Sequence, residues 1–160
     1  MHAFTKLPAW EQMLKRIVWQ QLGEINGKRI LDFGSGEGIT AAHYSENNSV
    51  IAIEPSEEML SKAWRNDKYV QIAGDVSALA EFESDSFDLI ICHNVLEYID
   101  DKKTAITEMS RLLKTGGTLS IVKHNRFGRV MQMAVLLNDI NRVQIAAYYG
   151  RFCGAKRPQC

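Results

Sequence analysis

"KRILDFGSGEG", residues Lys28 to Gly38, is the stretch on which the reading of this chain turns. Its apolar run stops at an acid, Asp32, and three glycines follow at alternate positions, Gly34, Gly36 and Gly38. A short apolar run ending in glycine reads as a buried strand entering a sharp turn, because glycine accepts backbone angles that other residues avoid and lets another group come close. The dinucleotide fingerprint spaces its glycines G-x-G-x-x-G and seats a pyrophosphate on a helix N-terminus. Here the spacing is G-x-G-x-G, and Ile39 stands where the third glycine of that fingerprint would fall. Asp32 adds an electrostatic argument. A carboxylate repels a nearby diphosphate by roughly 1 kcal/mol at ~4 Å even in water, whereas it attracts an ammonium group. The loop therefore suits a cation or a zwitterion.

Outward from this stretch the pattern alternates. "RILDF" (29–33) is the first strand and residues 39–47 read as a helix. "SVIAIE" (49–54) is a second strand, and "SEEMLSKAW" (56–64) a helix with Ser56 as its N-cap. "YVQIA" (69–73) and "FDLIICH" (87–93) are the third and fourth strands. "DKKTAITEMSRLL" (101–113) is a helix whose inner face is Ala105, Ile106, Met109, Leu112 and Leu113. "TGG" (115–117) reads as its stop, and "TLSIVKH" (118–124) as a fifth strand. Upstream, "PAWEQMLKRIVWQQL" (8–22) has helical spacing, with Trp10, Met13, Leu14, Ile17, Val18 and Leu22 as an apolar stripe.

Strands alternating with helices imply parallel pairing with right-handed crossovers, and near-continuous apolar strands imply burial on both faces. The expected fold is α/β, a doubly wound Rossmann-like sheet of about five parallel strands. One domain is expected over 1–160, with an N-terminal helix in 1–27, a core in 28–124 and a C-terminal part in 125–160. Ligands in such sheets bind outside the carboxyl ends of the strands. Those ends carry Asp32, Glu54, Gly74-Asp75 and His93-Asn94.

The composition is that of an ordinary globular chain: 160 residues, 46% hydrophobic and 24% charged. Lysine plus arginine number 19, as do aspartate plus glutamate, which argues against a broad nucleic-acid footprint. A local basic lean remains at Arg142, Arg151, Lys156 and Arg157. The three cysteines, 92, 153 and 160, form no CxxC pair, so neither a disulfide framework nor a metal site is expected. No signal-peptide core and no apolar run near ~20 residues is present, and a cytoplasmic protein without a membrane segment is the expectation.

Five segments together resemble a family. "ILDFGSGEG" resembles the first motif of the class I S-adenosylmethionine-dependent methyltransferases, and "VIAIEPSEEML" their second. "IAGDVSAL", "FDLIICHNVLEYI" and "LLKTGGTLSIV" are similar to the third, fourth and fifth, all in order over residues 28–124. Within the class, the likeness is to the type 11, ubiquinone-biosynthesis-like group. The resemblance implies S-adenosyl-L-methionine as cofactor, held by Asp32, Gly34, Ser35, Gly36, Gly38, Glu54, Pro55, Met59, Gly74, Asp75, Val76, His93 and Asn94. In it, Glu54 takes the ribose hydroxyls and Asp75 faces the adenine amine. The chemistry agrees, because a carboxylate can accept both hydrogen bonds of a vicinal diol. On this reading, Glu54→Ala should weaken binding at least tenfold and leave the stability of the free protein nearly unchanged.

A narrower resemblance links "CHNVLEYIDD" and "VKHNRFGRVMQ" to bacterial methyltransferases of the carboxymethoxy group on tRNA wobble uridine. It implies that His124, Asn125 and Arg126, with His93 and Asn94, line the acceptor side, and that the acceptor is a small molecule or tRNA. The reaction would pass a methyl group in line from a sulfonium. A carboxylate acceptor is already ionised at pH 7 and needs no base; otherwise His93 and His124 are the candidate bases.

The family fold adds a helix and two more strands after the fifth. Residues 127–150 instead read as one long helix with Val130, Met133, Ala134, Leu137, Ile140 and Ile145 on its apolar side. "RFCGAKRPQC" (151–160) is too short for two strands. Strands six and seven are therefore expected to be missing, leaving Leu119, Ile121 and Val122 at an open sheet edge that a homodimer would close. Two functions follow: a methyltransferase, or a non-catalytic or truncated S-adenosylmethionine-binding module.

Overall fold

The computed structural model describes residue 4, residues 7–64 and 68–125, and residues 128 and 135. The chain divides at Val122 into two units, Met1–Val122 and Lys123–Cys160. Arg126, the terminal stretch 151–160 and all but Gly128 and Val135 of the expected helix over 127–150 lie outside the described residues.

In the first unit, β1 (Arg29–Phe33), β2 (Ser49–Glu54), β3 (Tyr69–Ala73), β4 (Phe87–His93) and β5 (Leu113–Val122) form one sheet in the order β3-β2-β1-β4-β5. Every pairing is parallel. Among the described residues, four α-helices accompany them: α1 (Ala9–Leu22), α2 (Ile39–Tyr44), α3 (Glu57–Lys62) and α4 (Lys102–Leu112). Strand side chains alternate between the two faces. Leu31, Phe33, Ile53, Phe87 and Ile90 pack on one face with Leu79, Ala105, Met109 and Leu112. Ile30, Val50, Ala52, Leu89 and Ile91 pack on the other with Ala41 and Tyr44 of α2. Burying each large aliphatic or aromatic side chain contributes about 1.5–3 kcal/mol, which is why the three central strands are so uniformly apolar.

The order of the strands positions the site. The chain moves outward from β1 to β2 to β3, then returns to place β4 on the other side of β1. The β1/β4 boundary is thus the topological switch point, and the connections leaving β1 and β4 diverge there.

Three features depart from the sequence pattern. The strand expected to start at 118 starts at Leu113, directly after α4. Leu113 pairs with Phe87, and the register shifts between Phe87 and Leu89. Gly116, at φ +79°, and Gly117, where a Cβ would lie 2.9 Å from the Lys114 carbonyl, form that irregularity inside the strand rather than ending the helix. Second, Val76–Glu81 is a 3-10 segment capped by Asp75, whose carboxylate accepts from the Ser77 backbone N–H at 2.8 Å. Arg111 of α4 holds this segment by donating to the carbonyls of Leu79 and Phe82, both at 3.0 Å.

Third, α1 turns its apolar stripe outward. Trp10, Met13, Leu14 and Ile17 are exposed, and no residue of the helix is buried. Trp19 and Leu22 pack against the core instead, with Trp19 stacked on His43 at a ring-centroid distance of 3.8 Å. Lys15, on the inner side, donates to the Thr40 hydroxyl at 3.3 Å. The aromatic stack and this polar tether fix the rotation of the helix, so the hydrophobic pattern does not. On α4, Ala105, Met109 and Leu112 are buried as expected, while Ile106 is exposed.

Among the described residues, no helix is long and apolar enough to cross a membrane. Among the described residues, β5 is the last strand of the sheet on its side, with Leu119 and Val122 half-buried and Ile121 exposed.

Candidate functional site

The glycine loop leaves β1 and is clamped to β2 at once. The backbone N–H groups of Gly34 and Ser35 both donate to the Ile53 carbonyl, at 2.8 and 3.0 Å. All three glycines have positive φ, +74°, +58° and +75°. Their reasons differ. A Cβ on Gly34 would lie 2.2 Å from a methyl of Val95, and one on Gly38 would lie 2.2 Å from the Tyr69 hydroxyl. These two positions are kept small by the protein's own side chains. At Gly36 a Cβ would meet nothing within 4 Å, so this is the glycine whose space is open to a ligand.

Glu54 closes the loop from the end of β2. Its two carboxylate oxygens accept from the Gly36 N–H at 2.8 Å and the Ser56 N–H at 2.9 Å. It is only 8% exposed. Each oxygen has a second lone pair, so the carboxylate can still accept from a diol. Those two backbone bonds revise the expectation that Glu54 contributes nothing to folding. A hydrogen bond to a charged group contributes about 1.5–3 kcal/mol, and its removal leaves two backbone donors without this partner. Glu54→Ala is therefore expected to lower unfolding free energy by about 2 kcal/mol or more, read by urea denaturation, as well as weakening cofactor binding at least tenfold. An unchanged denaturation midpoint would show that the two bonds are not made in solution.

Asp32 lies one residue before the end of β1, the strand that leads into the loop. It is 3% exposed, and its Oδ2 has no hydrogen-bond partner. Burial, opposed chiefly by the Lys15 ammonium, pushes its carboxyl up to about 7. A buried carboxylate oxygen without a donor is costly, and its exposure to an incoming cation would relieve that cost.

The β4 end supplies the opposite wall. Asn94 sits at φ +59°, and its N–H donates to the Val122 carbonyl at 2.7 Å. This left-handed residue turns the chain so that Val95 lies over Gly34. His93 shares a 2.8 Å hydrogen bond between its Nε2 and the Ser120 hydroxyl. Burial first, and then Lys15, lowers its ring to about 4, so it is neutral at pH 7. Gly74 follows β3, and its N–H donates to the Glu54 carbonyl at 3.2 Å, which brings the third strand end beside the second. Asp75 is exposed, and the Ser77 hydroxyl and N–H hold its carboxyl below the usual range. Pro55 is exposed, Val76 packs against the core, and Met59 is 39% exposed on α3, whose N-cap is Ser56 as expected. His124 and Asn125 belong to the second unit, where the Asn125 side chain accepts from the Gly128 N–H at 3.3 Å.

Four supporting residues escape the sequence patterns. Gln71 of β3 donates to the Ser35 hydroxyl at 3.1 Å, and Tyr69 donates to the Trp64 carbonyl at 2.5 Å. Trp64 in turn donates its N–H to the Glu37 carbonyl at 2.7 Å. Val95 completes the set. Tyr69 and Gln71 lie two apart on one face of a strand, which is the trace they leave in the sequence. A cavity of about 510 Å³, lined by Trp19, His43, Tyr44 and Asn48 among others, lies toward the amino ends of β1 and β2. The open glycine, the orphaned carboxylate oxygen and the clamped Glu54 all lie at the carboxyl ends, and they define the candidate site. Among the described residues, no group of three or more His, Cys, Asp or Glu is placed to hold a metal ion. Cys92 is buried, which raises its thiol to about 11 and leaves it protonated at pH 7.

Residues 31–121 match the methyltransferase domain family. The chain belongs to that family. It is 33% identical over 118 residues to a demethylmenaquinone methyltransferase of Renibacterium salmoninarum, covering 71% of this chain and 49% of the relative. It is 30% identical over 144 residues to the tRNA 5-carboxymethoxyuridine methyltransferase of Escherichia coli K12, covering 79% of this chain and 54% of the relative. A solved S-adenosylmethionine-dependent methyltransferase from Mesorhizobium loti superposes with a TM-score of 0.59 at 25% identity, covering 74% of this chain and 55% of that one. The chain spans about half the length of the curated relatives it matches.

Proposed function

We propose that this chain binds S-adenosyl-L-methionine at the carboxyl ends of β1 to β4 and serves methyl transfer to a small-molecule or tRNA acceptor. The observation that carries the reading is the opening at Gly36, whose N–H is held by Glu54, together with the buried, unpartnered Oδ2 of Asp32 near the end of β1. Each fits one part of the cofactor. The open backbone admits close approach, Glu54 can take the ribose diol, and Asp32 complements a positive charge. When bound, the cofactor supplies the electrophilic methyl group; the protein's part is to hold and orient. Met59 with Pro55, and Asp75 with Gly74 and Val76, are assigned to the adenosine half. His93, Asn94, His124, Asn125 and Arg126 are assigned to the acceptor side.

The relatives named for quinone-pathway and tRNA reactions support these two acceptor classes. His93 and His124 remain the candidate bases; the His93 ring is neutral at pH 7, but burial holds it at about 4, which makes it a weaker proton acceptor than an ordinary histidine. An acceptor that is already anionic would need neither. The cytoplasm is the proposed location, and a homodimer through the β5 edge the proposed assembly. The test is direct. Equilibrium dialysis should show that S-adenosylmethionine binds and NAD does not. Incubation with the labelled cofactor and either tRNA or a hydroxylated quinone should then transfer label. Binding without transfer to any acceptor would favour the non-catalytic module, and tight NAD binding without S-adenosylmethionine binding would overturn the reading.

A further inference from the structure

Asp32, one residue before the end of β1, and Glu54, at the end of the neighbouring β2, are both buried and close enough to feel each other's charge, yet their surroundings are opposite. Glu54 has a backbone N–H on each oxygen. Asp32 has an oxygen with none. When two carboxyl groups share a site, the one with fewer donors is the one that keeps a proton. Resting on the cofactor reading above, we infer that Asp32 carries a proton in the empty site and surrenders it when the cofactor's ammonium group arrives, so that Asp32 selects for ligands bearing that charge.

The groups facing Asp32 from each neighbouring element fix the sign. Lys15 of α1 lowers its carboxyl and is the chief opposing charge. Glu54 of β2 raises it. From α2 the Ala41 backbone N–H lowers it, while Tyr44 contributes a buried hydroxyl that is itself unpartnered and held protonated up to about 12. From β4, Cys92 is a protonated thiol at pH 7, and His93 is neutral there. Lys15 is thus the one full positive charge among them, and it is already tethered to Thr40. Desolvation outweighs it and pushes the carboxyl up to about 7, so that a protonated population persists at neutral pH. A bound ammonium group stabilises only the ionised form. Binding therefore moves one proton from the Asp32 carboxyl to the buffer in every molecule that was protonated. Affinity rises with pH through the empty-site value and levels off above it, by about tenfold between pH 6 and pH 8.

The experiment is calorimetry of S-adenosylhomocysteine binding at pH 7 in phosphate and in Tris buffer, which differ in ionisation heat. The demethylated cofactor is chosen because no sulfonium charge depresses its amine. Release of a fraction of a proton per site is expected, larger at pH 6 than at pH 8. With 5′-methylthioadenosine, which lacks the amino-acid end, no release is expected from the native protein. Asp32→Asn should bind S-adenosylhomocysteine without release and without the pH trend. Binding of S-adenosylhomocysteine with the same heat in both buffers would overturn the inference and leave the cofactor assignment standing. Failure of both ligands to bind would overturn the assignment and the inference with it. The methylthioadenosine arm needs no variant, so a poorly folded Asp32→Asn does not blunt the test.

Discussion

Gly36→Val is expected to remove measurable affinity for S-adenosylmethionine, a loss of at least a hundredfold or about 2.7 kcal/mol. Gly36 has φ +58°, and its N–H donates to Glu54. A β-branched residue in that conformation is strained by more than the roughly 1–2 kcal/mol that ordinary residues suffer. Relaxing the strain would swing the N–H away from the Glu54 carboxylate, which is proposed to take the ribose diol. The isopropyl group would also enter the space left open above the loop, where no protein atom lies within 4 Å of a Cβ. For the same reason nothing in the protein is struck, and the strain and the loosened Glu54 bond should lower the melting temperature by about 5–15 °C. Calorimetric titration beside a thermal melt measures both. Native affinity in the variant would mean that the cofactor does not pass over this residue.

Gly34→Ala is expected to do the reverse, with its cost in folding. The new methyl would lie 2.2 Å from Cγ2 of Val95 and 2.8 Å from Cγ1, at a backbone φ of +74°. Overpacking costs about 1–3 kcal/mol and the left-handed conformation about 1–2 more. Urea denaturation should show a loss of about 2–4 kcal/mol. Adding Val95→Ala removes the collision and leaves the strain. The pair should therefore be more stable than the sum of the single changes by about 1–2 kcal/mol. Gly36→Ala isolates the strain alone. If Gly34→Ala were no worse than Gly36→Ala, Val95 would not be the reason for the glycine.

β2, β3 and β4 are legible to the residue, at Ser49–Glu54, Tyr69–Ala73 and Phe87–His93, because each is a dense apolar run flanked by polar or small residues. The start of β5 is not. "TGG" is as good a helix stop as it is a strand irregularity, and only pairing of Leu113 with Phe87 decides between them. The outward stripe of α1 has a similar origin. Hydrophobic spacing says that a helix has a face, but the stack of Trp19 on His43 and the tether of Lys15 to Thr40 choose which side meets the core.

By itself the sequence determined the parallel α/β architecture and singled out the loop, Asp32 and Glu54 as the candidate site, since those rest on local spacing and on the chemistry of each residue. The tertiary structure decided why each glycine is there, which carboxyl group is satisfied and which is orphaned, and that His93 is neutral and paired with Ser120. Gly34 and Val95 are sixty-one positions apart, and Gly38 meets Tyr69 from another strand. Such contacts depend on the order β3-β2-β1-β4-β5, which places distant segments side by side. Burial, and with it the protonation of Asp32, exists only once that order has closed the site to water.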